Sequence, residues 1–374
     1  MYFAFKQKKD ISLSLISGVF KRIIVAYYTV INIIIYILGK FLFTKIDKID
    51  IKRILILRSG GMGDTITALP ALTVIKQCFP EAIINLLTNN PLSGRNSVQE
   101  FTPKDYFASF YFYKTFVDKQ IIKQLKQYKY DLFIELPTYN CSLAFEIRSI
   151  MLAKIINAKS GFGWHISSTM FLKNQQEKLF EFDTNRIRLL NILKYYGLKF
   201  IDPGYLLEQN NLQISESDVE KRFMSLSSQK MIAIIPGAGR EENKWPIENF
   251  KEVINYFLAN GYSFVIIGGE QDSALAETLC ISNDVINLCG KIQPLKNALI
   301  FKKCALVIGN DTGPMHLAYA SGTKVVALFS KRDYTGKWYP PEESRNAILR
   351  AKVNIQDIPV SDIINKSLKI LSSN

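Results

Sequence analysis

The sequence predicts an α/β protein of two Rossmann-like domains, preceded by an apolar N-terminal segment. Three observations carry that reading. At 374 residues with 48% hydrophobic content, the chain can bury two separate cores. Apolar strands and amphipathic helices alternate through two separate stretches, the pattern of parallel sheets. A glycine-rich turn between a strand and a helix heads each stretch.

Residues 1–50 form the first segment. From Ile23 to Gly39 there is no charge, and Lys21, Arg22 and Lys40 bracket the run. It is shorter than the roughly 20 apolar residues of a comfortable span, and it lacks a signal-peptide cleavage site. The expectation is a helix lying in or against a membrane surface, with one span or a buried core helix as the alternatives.

The first domain is expected over 51–205. IKRILILR reads as a strand, Thr65 to Phe79 as a helix ended by Pro80, and AIINLLT as the next strand. YFASFYFY, VDKQIIKQLKQY and YDLFIEL continue as strand, helix and strand, with a further helix from Leu143 to Ile156. A polar, irregular stretch places the junction at 206–228. The second domain, 229–350, opens with MIAIIPGAG and a helix from Ile247 to Asn260. YSFVIIGG, ALVIGN and KVVALFS then read as strands, with a helix from Met315 to Ser321. Residues 351–374 end in a helix from Val360 to Leu371, with Ser361 as its expected N-cap.

A formal net charge of +14 favours anionic partners. No dense basic block interleaved with aromatics, zinc-finger spacing or RNP-like strand is present, which argues against nucleic acid. Five scattered cysteines without a CxxC pair argue against a disulfide framework or structural zinc. With two histidines and no DxD pair, no metal or other cofactor is expected, so a diphosphate would be neutralised by backbone N–H groups, helix ends and Lys or Arg.

Three motifs can carry chemistry. LRSGGMGDTITALPAL puts Gly61, Met62 and Gly63 in a turn and Asp64 at a helix start, where a carboxylate can cap the helix or accept a proton. The third glycine and the ribose-binding acid of a dinucleotide fingerprint are missing, and no Walker-type loop occurs anywhere. IIPGAGREENKWP places Gly237, Ala238 and Gly239 at a strand end, with Lys244 in the loop beyond. GNDTGPMHLAYASGT puts Asp311, Thr312 and Gly313 at a helix start with His316 on its first turn, a geometry suited to phosphate oxygens. Glu270, after YSFVIIGG, is a candidate for donor hydroxyls or an ordinary loop residue.

Together the three motifs resemble glycosyltransferase family 9, the heptosyltransferase-like enzymes of lipopolysaccharide core assembly. GMGDTITALPAL, PGAG with KWP, and NDTGPMHLAYASGT with VVALFS carry the resemblance from about Lys52 to Ser330, and KSGFGW and NRIRLLNILKYYGL echo it. It implies a GT-B architecture, two Rossmann-like domains facing across a cleft, and inverting, metal-independent transfer with a nucleotide sugar as co-substrate. By position, Asp64 matches the general base and Lys244 the residue that stabilises the leaving diphosphate. Gly237, Ala238, Gly239, Glu270, Asp311, Thr312, Gly313 and His316 fall on the donor side, and Gly61, Met62 and Gly63 on the acceptor side.

Gly239 departs from the family pattern, which commonly has Ser or Thr after PGA, and so removes a hydroxyl near the donor phosphate. ADP-heptose is the expected donor, with another nucleotide sugar close behind. A lipid-linked envelope glycan is the expected acceptor, met at the cytoplasmic face of the membrane through loops between Thr138 and Asn174. Two other functions stay open: a two-lobed nucleotide- or sugar-binding protein, and a non-catalytic scaffold of envelope assembly.

Overall fold

A computed structural model describes residues 18–46, 50–90, 98–102, 106–114, 119–138, 141–166, 184–204, 230–330, 338–340 and 345–372. The expected junction at 206–228 and part of the expected acceptor loops, 167–174, lie outside them.

The chain enters through α1 (Gly18–Leu42), then builds a five-stranded parallel sheet. In chain order its elements are β1 (Arg53–Leu57), α2 (Met62–Cys78), β2 (Ile83–Asn89), β3 (Ser109–Tyr113), α3 (Lys119–Tyr128), β4 (Leu132–Glu135), α4 (Leu143–Ile155), β5 (Ser160–Phe162) and α5 (Asn185–Tyr195). The strand order is β3-β2-β1-β4-β5, all pairs parallel. Central strands of such sheets are covered on both faces and read as unbroken apolar runs, as RILIL does. Helix α2 is buried on nearly every side from Thr65 to Ile75, which explains why MGDTITALPALTVIKQC shows no polar face.

The second sheet holds six parallel strands. Its elements are β6 (Met231–Ile235), α6 (Ile247–Ala259), β7 (Ser263–Ile266), α7 (Ser273–Glu277), β8 (Val285–Asn287), α8 (Asn297–Lys303), β9 (Leu306–Asn310), α9 (Gly313–Ala320), β10 (Val325–Phe329), β11 (Asn346–Arg350) and α10 (Val360–Ser372). The strand order is β11-β10-β9-β6-β7-β8. The short β8 and α8 and the edge strand β11 carry too few apolar residues to stand out in the sequence. Helices α2 and α9 begin three and two residues earlier than the apolar pattern suggests, because glycine, aspartate or proline in their first turns masks the start of that pattern. Ser361 does not cap α10: the N–H groups of Asp362 and Ile363 bond to the Pro359 carbonyl, so the helix starts at the proline and Ser361 lies inside its first turn.

One apolar cluster runs from the first sheet through α2 and α9 into the second, so the two domains touch as well as face each other. Helix α1 is docked on the first domain by one face only. The Asn32 side chain exchanges two hydrogen bonds with the Ile166 backbone, at 2.9 and 2.8 Å. Gly39 lets Trp164 approach, and Tyr36 packs on the Tyr195 ring at 4.7 Å. Its other face leaves Val30, Ile33, Ile34, Ile37, Leu38 and Phe41 exposed. The helix is therefore half docked and half exposed, and among the described residues no helix is long and apolar enough to cross a membrane.

Candidate active site at two switch points

In the first sheet the chain proceeds from β1 to β2 on one side and later adds β4 on the other. Loops leaving β1 and β4 therefore diverge, and the crevice between them is where open α/β sheets take ligands. Buried Arg58 ties the two loops together: Nη1 donates to the carbonyls of Leu136 (3.0 Å) and Pro137 (2.9 Å). Its Nη2 donates to the Asp64 carbonyl at 2.9 Å and lies 3.6 Å from the Asp64 carboxylate. Gly60, at φ +137°, makes the turn, since a Cβ there would fall 2.3 Å from that of Asp64. The Asp64 carboxylate accepts from the Gly61 N–H at 3.0 Å, so it does cap α2, yet its side chain stays 27% exposed toward solvent.

The second sheet repeats the plan, with its switch point between β6 and β9. Buried Asn310 does there what Arg58 does in the first domain. Its amide donates to the Pro236 carbonyl at 2.7 Å, and its oxygen accepts from the Trp245 N–H at 3.1 Å. That bond fixes the backbone just after Lys244 to the end of β9, and the Lys244 ammonium lies 2.8 Å from the Glu241 carboxylate. Gly237 lies against the Asp272 carboxylate, which also accepts from the Gly269 N–H at 2.9 Å, so the PGAG loop and the loop carrying Glu270 are neighbours. Ala238 follows half-buried and Gly239 exposed, and Glu270 is exposed. Thr312 caps α9 through its backbone alone, and its side chain makes no cap bond.

The first turns of α2 and α9 meet. A Cβ on Gly63 would come 2.6 Å from the His316 ring, and one on Gly313 2.8 Å from the Met62 Cβ. His316 cannot yield easily. Nδ1 bonds the Tyr319 hydroxyl at 2.5 Å, Nε2 lies 3.5 Å from Asp311, and Trp338 packs edge-on at 5.9 Å. The structure thus brings the turn of Gly61, Met62, Gly63 and Asp64 to that of Asp311, Thr312, Gly313 and His316, while Lys244 is paired with Glu241 in the loop after β6. His316 serves as a wall of this contact, both ring nitrogens being engaged within the chain.

Comparison with known proteins decides the family. The family "Glycosyltransferase family 9 (heptosyltransferase)" matches residues 119–359, well over half of the chain. This chain belongs to glycosyltransferase family 9. Lipooligosaccharide heptosyltransferase 2 of Campylobacter jejuni is 28% identical over 77% of this chain and 83% of its own length. Lipopolysaccharide heptosyltransferase 2 of Salmonella typhimurium is 25% identical over 80% and 88%. The solved structure of E. coli ADP-heptose lps heptosyltransferase II shares the fold, with a TM-score of 0.60 at 18% identity over 86% of this chain and 98% of that one. The chain is accordingly a glycosyltransferase of GT-B architecture, and a binding protein without transfer chemistry is set aside.

Behind the Asp64 turn of this family 9 enzyme lies a buried polar cluster that the motifs do not reveal. Glu135 at the end of β4, Cys141, and Glu146 on α4 place one ligating atom each within 4.8 Å of one another. Arg188 acts on both carboxyls and Arg58 on Glu135, each favouring the charged form, but burial outweighs them. Burial, and then Glu146, push the Glu135 carboxyl well above the usual carboxylate range, against Ser149, Arg188 and Arg58. Burial likewise drives Glu146 up to about 8, opposed by Cys141, Arg188 and the His165 backbone. Burial, then Arg188, lowers His165 to about 4. A charged residue ending an apolar strand, as in LILR and FIEL, is the one sequence sign that Arg58 and Glu135 had buried work to do.

These shifts set a pH dependence. Glu146 keeps its proton in the native state up to about pH 8, whereas the unfolded carboxyl releases it near its ordinary value of 4.5, so stability falls as pH rises through that window. His165 acts oppositely, but only between about 4 and its ordinary 6.5. The melting temperature should therefore decline between about pH 6.5 and 8. In Glu146→Gln the decline over that interval should be shallower in a thermal-melt series, and an unchanged slope would contradict the assignment.

Proposed function

We propose that this enzyme transfers heptose from ADP-heptose to a lipid-linked glycan of the lipopolysaccharide core, with inversion and without a metal, at the cytoplasmic face of the membrane. The observation that carries the reading is the meeting of the α2 and α9 first turns, where the glycines next to Asp64 and Thr312 lie against the opposite domain. The descriptions of the C. jejuni, S. typhimurium and E. coli relatives support the sugar, the nucleotide and the acceptor class.

In the reaction, Asp64 takes the proton of the acceptor hydroxyl as its oxygen bonds to the anomeric carbon. The bond from that carbon to the diphosphate oxygen breaks on the opposite face, inverting the centre. Charge then grows on the diphosphate. In this reading the N-terminus of α9, the Thr312 hydroxyl, which makes no cap bond, and Lys244, released from Glu241, receive it. The exposed face of α1 rests on the membrane, where Lys40 meets anionic headgroups.

Asp64→Asn preserves side-chain size and the bond from the Gly61 N–H while removing the base. Turnover should drop by about 10² to 10⁴, with melting temperature and ADP affinity little changed. Near wild-type turnover in the folded variant would overturn the base assignment. Lys244→Ala and Thr312→Ala each remove a diphosphate contact from a loop. Titration calorimetry should show ADP affinity about ten- to a hundredfold weaker, the loss of one charge-assisted bond. Unchanged affinity in both would remove the diphosphate from this loop.

A further inference from the structure

Helix α4 is built inside out. Its inward face buries Glu146 and Ser149 beside Ile150, Leu152 and Ala153, while Leu143, Ile147, Met151 and Ile155 are exposed. Those four recur every fourth residue and so form a single stripe along the helix. A surface helix ordinarily does the reverse, because leaving aliphatic side chains in water and burying a carboxyl both oppose folding. A contiguous apolar patch of this kind marks an interaction surface.

The stripe does not stand alone. The C-terminal ends of α4 and α1 meet, where the Lys154 ammonium donates to the Leu42 carbonyl at 2.8 Å and lies 5.0 Å above the Phe43 ring. Both helices thus offer an exposed apolar face on the same domain. The charged residues among the exposed positions of α4 and of α1 from Ala26 onward are Lys40, Arg148 and Lys154, all basic. A two-fold pairing of two such faces would set like charges against each other, whereas an anionic bilayer complements them.

We infer that α4 and α1 together form a two-part docking surface for an anionic lipid bilayer, with the α4 stripe as a second anchor. The inference rests on the membrane reading of α1 for the identity of the surface. It adds a consequence for transfer: α4 follows directly on the loop of Leu136 and Pro137 that Arg58 holds to the Asp64 turn, so bilayer contact brings the acceptor side of the crevice to the lipid surface.

The test is co-sedimentation of the full chain with phosphatidylcholine vesicles, with and without phosphatidylglycerol. The wild-type chain should bind the anionic vesicles more tightly, and added salt should weaken that binding. Ile147→Glu/Met151→Glu alters two exposed side chains, so the melting temperature should hold while affinity for anionic vesicles falls about tenfold or more. Ile34→Glu/Ile37→Glu should do the same. Wild-type vesicle affinity in the folded α4 variant would overturn the inference. So would a concentration-dependent dimer of the wild-type chain, without lipid, that the α4 substitutions dissolve. Since the readout is lipid binding and not turnover, failure of the ADP-heptose reading would leave this result standing.

Discussion

The close approach of the first turns of α2 and α9 is the constraint on which the rest of the site depends. Two helix N-termini, each a source of unpaired N–H groups and positive potential, come together only because Gly63 and Gly313 present no side chain to His316 and Met62. A Cβ at Gly63 would push the domains apart or displace a histidine held by Tyr319, Asp311 and Trp338, and one at Gly313 would collide with Met62. The contact also explains the burial pattern of α2, which packs on its own sheet, on α5 and on α9 together, leaving almost none of its length for water.

Each domain then stiffens its half of the crevice by the same device. A long or amide-bearing polar side chain, buried at the sheet's switch point, ties the two diverging loops through the backbone: Arg58 through carbonyls in the first domain, Asn310 through the Pro236 carbonyl and the Trp245 N–H in the second. Burying a guanidinium is costly unless its donors are used, and Arg58 uses them on three carbonyls with the Asp64 and Glu135 carboxyls nearby. Asp64 is thereby held to the loop after β4, and the cluster of Glu135, Cys141 and Glu146 behind it joins that turn to the packing of α4.

Much of this was legible in the sequence for plain reasons. Unbroken apolar runs such as RILIL and MIAII mark central parallel strands, and glycine-rich strand ends mark loops that bind anions. The Asp64, Lys244 and Asp311–His316 positions followed from those loops. What escaped was tertiary. Nothing local says that Arg58 turns inward or that Asn310 spans two loops. Gly63 and Gly313 read as turn residues, and only the packed structure shows them as contact points between domains. The Ser361 cap failed because Pro359 offers a carbonyl that starts α10 sooner. The α4 stripe was invisible because its apolar residues fit a core helix equally well until burial is known.

The measurement that tests the account most directly is a double-mutant cycle on the transfer rate, using Gly63→Ala and His316→Ala. If the meeting of α2 and α9 assembles the site, Gly63→Ala should slow transfer about tenfold or more in the wild-type background and little in the His316→Ala background, where the clashing ring is gone. Equal losses in both backgrounds, or no loss at all, would contradict the account.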